Sequence, residues 1–96
     1  MKVLNYRRTC YACPSQWEGQ LDNGLFFYVR YRWGYFSIGL GTTVDEAVGD
    51  DFYDSETGEA LDGFMADSEM AFKMAEAGFD MTDAKLDGEP CEEFNL

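Results

Sequence analysis

Cys10-Tyr11-Ala12-Cys13 is the first group in this chain with the spacing of a chemical site. Two thiols at that separation serve either a zinc ion or a redox couple. A structural zinc ion takes four cysteine or histidine ligands. The chain offers three cysteines, Cys10, Cys13 and Cys91, and no histidine. A fourth ligand would have to be a carboxylate or come from another chain. A redox pair sits at a helix N-terminus in a strand–helix–strand unit, and Pro14 directly after Cys13 does not suggest one. The expectation is reduced cysteines and no metal. With no histidine, a serine or cysteine nucleophile lacks its usual base. Nineteen acidic residues single out no acid–base pair. Gly39-Leu40-Gly41 lacks the third glycine and the helix spacing of a phosphate loop. These residues predict a non-enzymatic chain without a cofactor.

Two constellations suit binding instead. Gln16, Glu18, Tyr28, Arg30, Arg32 and Tyr35 alternate with apolar residues, so strand geometry collects them on one sheet face. Arginine forks grip carboxylates and phosphates bidentately, and tyrosine rings stack on flat ligands. Such a face suits a nucleotide-like anion or a protein patch. The simplest competing reading pairs Arg30 with Glu18 and leaves the face idle. The second constellation is acidic: Asp50, Asp51, Asp54, Glu56, Glu59 and Asp62. A calcium loop of the helix–loop–helix type needs acids at alternate positions, a glycine sixth and a glutamate twelfth. This segment lacks that register, so a solvated acidic hairpin is expected.

The elements that place these residues follow from periodicity. Lys2–Tyr11 suits a strand, although its alternation is imperfect. Ser15–Leu21 and Leu25–Arg32 alternate cleanly. Asp22-Asn23-Gly24 is a turn signal. A three-residue loop with Gly24 in a bulge pairs Leu21 with Leu25, Gly19 with Phe27 and Trp17 with Val29, which keeps one face apolar. Trp33-Gly34 must form an even-length loop, so that Phe36, Ile38 and Leu40 rejoin that face. Thr43 and Glu46 predict a capping box for a short helix, Val44–Val48. Phe52–Leu61 reads as a hairpin around Gly58. Asp67 or Ser68 caps a main helix that runs to Ala77, with Met70, Phe72 and Met74 as its apolar content, and Asp80–Leu86 adds a further helical turn. The predicted fold is α+β. It comprises a three- or four-stranded antiparallel meander, the main helix on its apolar face, and the short second helix. Residues 1–90 form one domain and 91–96 an acidic tail.

Charge is unevenly divided. Lys2, Arg7, Arg8, Arg30 and Arg32 outnumber Glu18 and Asp22 before residue 41, whereas seventeen acids face only Lys73 and Lys85 after it. The net charge is −12. Phosphates are repelled at long range, so direct nucleic-acid binding is disfavoured and a partner with a basic surface is favoured. Carboxylates spread over helices and a hairpin can also imitate a duplex and occupy a nucleic-acid channel. No stretch is long and apolar enough for a membrane span. The start MKVLNYRR lacks the apolar core of a signal peptide, so a cytoplasmic location is expected.

Tyr11-Ala12-Cys13-Pro14-Ser15-Gln16-Trp17-Glu18-Gly19 and Tyr28-Val29-Arg30-Tyr31-Arg32-Trp33-Gly34 carry one family resemblance. Up to Leu40 the chain resembles small accessory proteins encoded by bacteriophages, particularly those of actinobacteria. As a broad class, small acidic phage proteins resemble anti-defence inhibitors, anti-CRISPR proteins, DNA mimics and proteins that sequester signalling nucleotides. The resemblance implies an inhibitor acting in the host cell and transfers no site residues. A structural or assembly role is the third reading.

Overall fold

The computed structural model describes residues 1–11, 14–56 and 64–87. Its strands are β1 (Val3–Cys10), β2 (Ser15–Leu21), β3 (Phe26–Arg32), β4 (Tyr35–Gly41), β5 (Tyr53–Glu56) and β6 (Lys85–Leu86). Its helices are α1 (Val44–Val48) and α2 (Asp67–Glu76). The fold is α+β with one six-stranded sheet, ordered β5-β4-β3-β2-β1-β6. Every pairing is antiparallel except β1 with β6. Six strands replace the expected three or four, because β5 returns to pair with β4 and β6 adds to the β1 edge.

The central registers follow from burial. β2 and β3 pair Gly19 with Phe27 and Trp17 with Val29, as the three-residue loop requires, and the Leu21 N–H donates to the Leu25 carbonyl at 2.8 Å. Arg32 lies opposite Tyr35, so Trp33 and Gly34 form a two-residue turn. Both turn residues have positive φ, 58° and 77°, the hand that matches strand twist. The imperfect alternation of β1 has a physical cause: its register with β2 slips between Val3 and Asn5 and again between Arg8 and Cys10.

One face carries the core. Trp17, Leu21, Phe27, Val29, Tyr31, Phe36 and Ile38 are buried with Val3, Met65, Met70, Met74 and Phe79. Each such side chain contributes roughly 1.5–3 kcal/mol on burial. Met70 and Met74 of α2 enter this cluster, while Phe72 stays 63% exposed. The α2 N-cap is Ala66, with no side-chain hydrogen bond, not Asp67 or Ser68. Asp67 is instead drawn inward. Its Oδ1 accepts from Arg8 Nη1 at 2.9 Å and from Trp17 Nε1 at 2.7 Å. The Arg8 guanidinium lies 4.5 Å from the Trp17 ring, and Nη2 donates to the Met65 carbonyl at 2.7 Å. This ion pair is 9% and 1% exposed at its two side chains, and it ties β1 and β2 to the start of α2.

Asp80–Leu86 forms no helical turn. Asp80 bridges to Lys2, and Lys85–Leu86 is a short strand parallel to β1. The Phe52–Leu61 hairpin is only partly described. Its first arm is β5, and residues 57–61 lie outside the described residues, as does the expected tail, 91–96. No described helix is long and apolar enough to cross a membrane.

Candidate interaction surface

Paired residues in an antiparallel ladder project to the same side, so the registers lay out the outward face. One row runs Cys10, Gln16, Arg30, Ser37 and Asp54. The row beyond it runs Arg32, Tyr35 and Glu56. On the other side come Arg7, Glu18, Tyr28 and Gly39, then Asn5, Gln20, Phe26 and Gly41. The predicted set Gln16, Glu18, Tyr28, Arg30, Arg32 and Tyr35 therefore shares one face, but it does not form one site.

Helix α1 divides that face. Gly39 and Gly41 are outward residues, and a Cβ on either would run into α1: Gly39 into the Ala47 carbonyl oxygen, Gly41 into Glu46 and the Ala47 amide. Ala47 is fully buried by this approach. The helix begins as its sequence predicts, with Thr43 Oγ1 accepting from the Glu46 N–H at 3.2 Å. Glu46 reaches back one residue further than a simple capping box, and Oε1 accepts from Thr42 N–H at 2.9 Å and Thr42 Oγ1 at 2.6 Å. Those two bonds hold the Glu46 carboxyl below its ordinary pKa.

Beside α1 lies a groove of about 180 Å³ lined by Asn5, Arg7, Glu18, Gln20, Phe26 and Val44. Asp87 also lines it, and its other two charged residues are matched to each other. Arg7 holds Glu18 at 2.9 Å, and Asn5 Nδ2 donates to Gln20 Oε1 at 3.0 Å. Glu18 is thus committed to Arg7 and not to Arg30. Tyr28 is half-buried, and burial pushes its hydroxyl above the ordinary tyrosine range, with Arg30 opposing.

No described residue covers the other end of the face, the open end. Arg30, Arg32, Trp33, Tyr35 and Ser37 line a shallow depression of about 250 Å³. Trp33 is 54% exposed and Tyr35 52%. The Arg32 guanidinium lies 5.1 Å from the Trp33 ring. Lys2, Arg7, Arg8 and Lys73 each hold a carboxylate among the described residues. Arg30 and Arg32 hold none there, in a chain with 19 acidic residues.

No protein-family model, curated protein or solved structure matches this chain.

The acidic constellation borders the open end. Asp50, Asp51, Asp54 and Glu56 are all exposed, and none joins an ion pair among the described residues. Asp50 is partly structural, since its Oδ2 accepts from the Leu40 N–H at 3.0 Å. The charge of Asp54 raises the Asp51 pKa, the mark of crowded carboxylates. Glu56 hydrogen-bonds the Tyr35 hydroxyl and raises its pKa. Glu59 and Asp62 lie outside the described residues, as do Cys13 and Cys91. Cys10 is half-buried and joins no disulfide among the described residues. No described group of three or more ligating side chains could hold a metal.

Two members of the open end were not predicted. Ser37 falls on this face because it alternates with the buried Phe36 and Ile38. The sequence marks Trp33 only as a turn residue, yet a bulky side chain at positive φ is a backbone outlier, and its exposure places a large ring at the rim of the depression.

Proposed function

We propose that this chain is a non-enzymatic accessory protein of the bacteriophage type. It binds a host protein with a basic surface and inhibits it in the host cytoplasm. The observation that carries this reading is the exposed strip Asp50, Asp51, Asp54 and Glu56, unneutralised among the described residues and crowded enough to raise the Asp51 pKa. Such a strip attracts lysine and arginine clusters at long range and speeds their encounter. It favours targets that ordinarily grip a polyanion, including nucleic-acid-handling and defence proteins.

The test is competition. The protein should displace duplex DNA from a susceptible nuclease. Displacement should weaken steeply with added salt and with Asp51→Lys/Asp54→Lys, because surface electrostatics are screened. Displacement indifferent to both salt and charge reversal would overturn the reading.

A second reading has its own observation. Arg30 and Arg32 lack acidic partners among the described residues beside two exposed rings, and so present donors to a small anion such as a nucleotide. The depression is shallow, however, whereas small-molecule sites enclose most of their ligand. The geometry therefore favours a protein partner.

A further inference from the structure

We infer that the open end of the outward face binds a protein segment of mixed charge: acidic side chains on Arg30 and Arg32, and basic side chains on Asp54 and Glu56. This rests on the protein-binding reading and specifies the partner's surface.

The ladder supplies the geometry. Arg30 pairs with Ser37, and Ser37 with Asp54. Arg32 pairs with Tyr35, and Tyr35 with Glu56. Each arginine thus stands in the same row as one carboxylate, two strands away. Strands lie about 4.8 Å apart, so the cationic and anionic stripes run parallel at roughly 10 Å. Successive members of each stripe are about 7 Å apart along the strand. At that separation the stripes do not neutralise one another by contact, and no ion pair joins them among the described residues. Tyr35 and Ser37 fill the space between, and Trp33 closes one side.

This pattern discriminates between ligand classes. A polyanion meets two arginines but also Asp54 and Glu56 in the same rows. A purely basic surface meets the acids but also two guanidiniums. Duplex mimicry therefore ends at β5. Only a segment with both signs satisfies both stripes, and like charges facing each other penalise the alternatives. The exposed aromatic rings and arginines are the residue types that anchor protein interfaces. The positive φ of Trp33 shows that the turn holds this ring against a backbone preference, as strained residues at functional sites do.

Trp33 also provides the readout. Trp17 is fully buried, so quenching by a soluble quencher reports Trp33, and Trp33→Phe removes the signal. The probes are four: a short synthetic peptide of alternating glutamate and lysine pairs, a glutamate-only peptide, a lysine-only peptide and ADP. The mixed peptide should protect Trp33 at concentrations about tenfold below those the other three need, the gain expected from a few exposed ion pairs. Arg30→Glu/Arg32→Glu should abolish that advantage, and the milder Arg30→Gln/Arg32→Gln should reduce it, with circular dichroism unchanged in both. Equal binding of the lysine-only peptide would overturn the inference. If that binding depends on Asp51 and Asp54, the acidic-surface reading still stands. Tighter binding of ADP would overturn it in favour of a small-anion site.

Discussion

At the scale of single residues, two arginine settings divide the labour. Arg8 is enclosed by Asp67, Trp17 and the Met65 carbonyl and serves the fold. Arg30 and Arg32 have no acidic partner among the described residues, and the proposed docking rests on them. Trp33 belongs with the second pair. Left-handed backbone costs a residue with a Cβ roughly 1–2 kcal/mol, and asparagine tolerates it best after glycine. Trp33→Asn should therefore raise stability by about 1 kcal/mol in urea unfolding while it weakens binding at the open end. Unchanged or lower stability would mean that the ring's contact with Arg32 outweighs the backbone strain.

At the scale of elements, α1 decides which part of the outward face stays free. It sits on Gly39 and Gly41, and any side chain at Gly39 meets the Ala47 carbonyl. Gly39→Ala should cost about 1–3 kcal/mol, the usual penalty for forcing an atom into packed space, and should be read from the shift in unfolding midpoint. No loss would mean that α1 is not seated there. The glycines were a legible signal, since two on the outward positions of one strand invite a close backbone. The sequence reading left their face open. The β2–β3–β4 registers were legible because slipping Trp17, Phe27, Val29 or Ile38 by one residue exposes it. β6 was not, because two residues carry no period. Nor was the Arg8–Asp67 pair, whose members are 59 residues apart in the chain; no local pattern marks such a contact. On the candidate site, residue types and facing were readable. The split into a groove where Arg7 holds Glu18 and an open end was not, since it depends on Glu18 choosing Arg7 and on where α1 lands.

At the scale of the whole molecule, a net charge of −12 sets the response to pH and salt. The folded pKa of Asp51 is raised above its ordinary 3.8. The folded state therefore binds this proton more readily than the unfolded chain, and the resulting stability is fully present below 3.8 and lost as pH rises through the raised folded value. Glu46 and Asp80 have lowered pKa values, Asp80 through hydrogen bonds from Thr82. Their contribution is present above the ordinary 4.5 and 3.8 and is lost as pH falls below them. The thermal midpoint should climb as pH drops from 7 toward the carboxylate range and decline at lower pH. Moderate salt should raise it at neutral pH by screening repulsion. A midpoint that falls steadily from neutral pH downward would contradict this balance.

The most direct measurement concerns the two arginines. Arg30→Ala/Arg32→Ala should leave the unfolding free energy of the isolated protein, from urea titration, within about 0.5 kcal/mol of the parent, as for surface substitutions that break nothing. A loss of several kcal/mol would show both side chains engaged inside the fold, with nothing left to offer a partner.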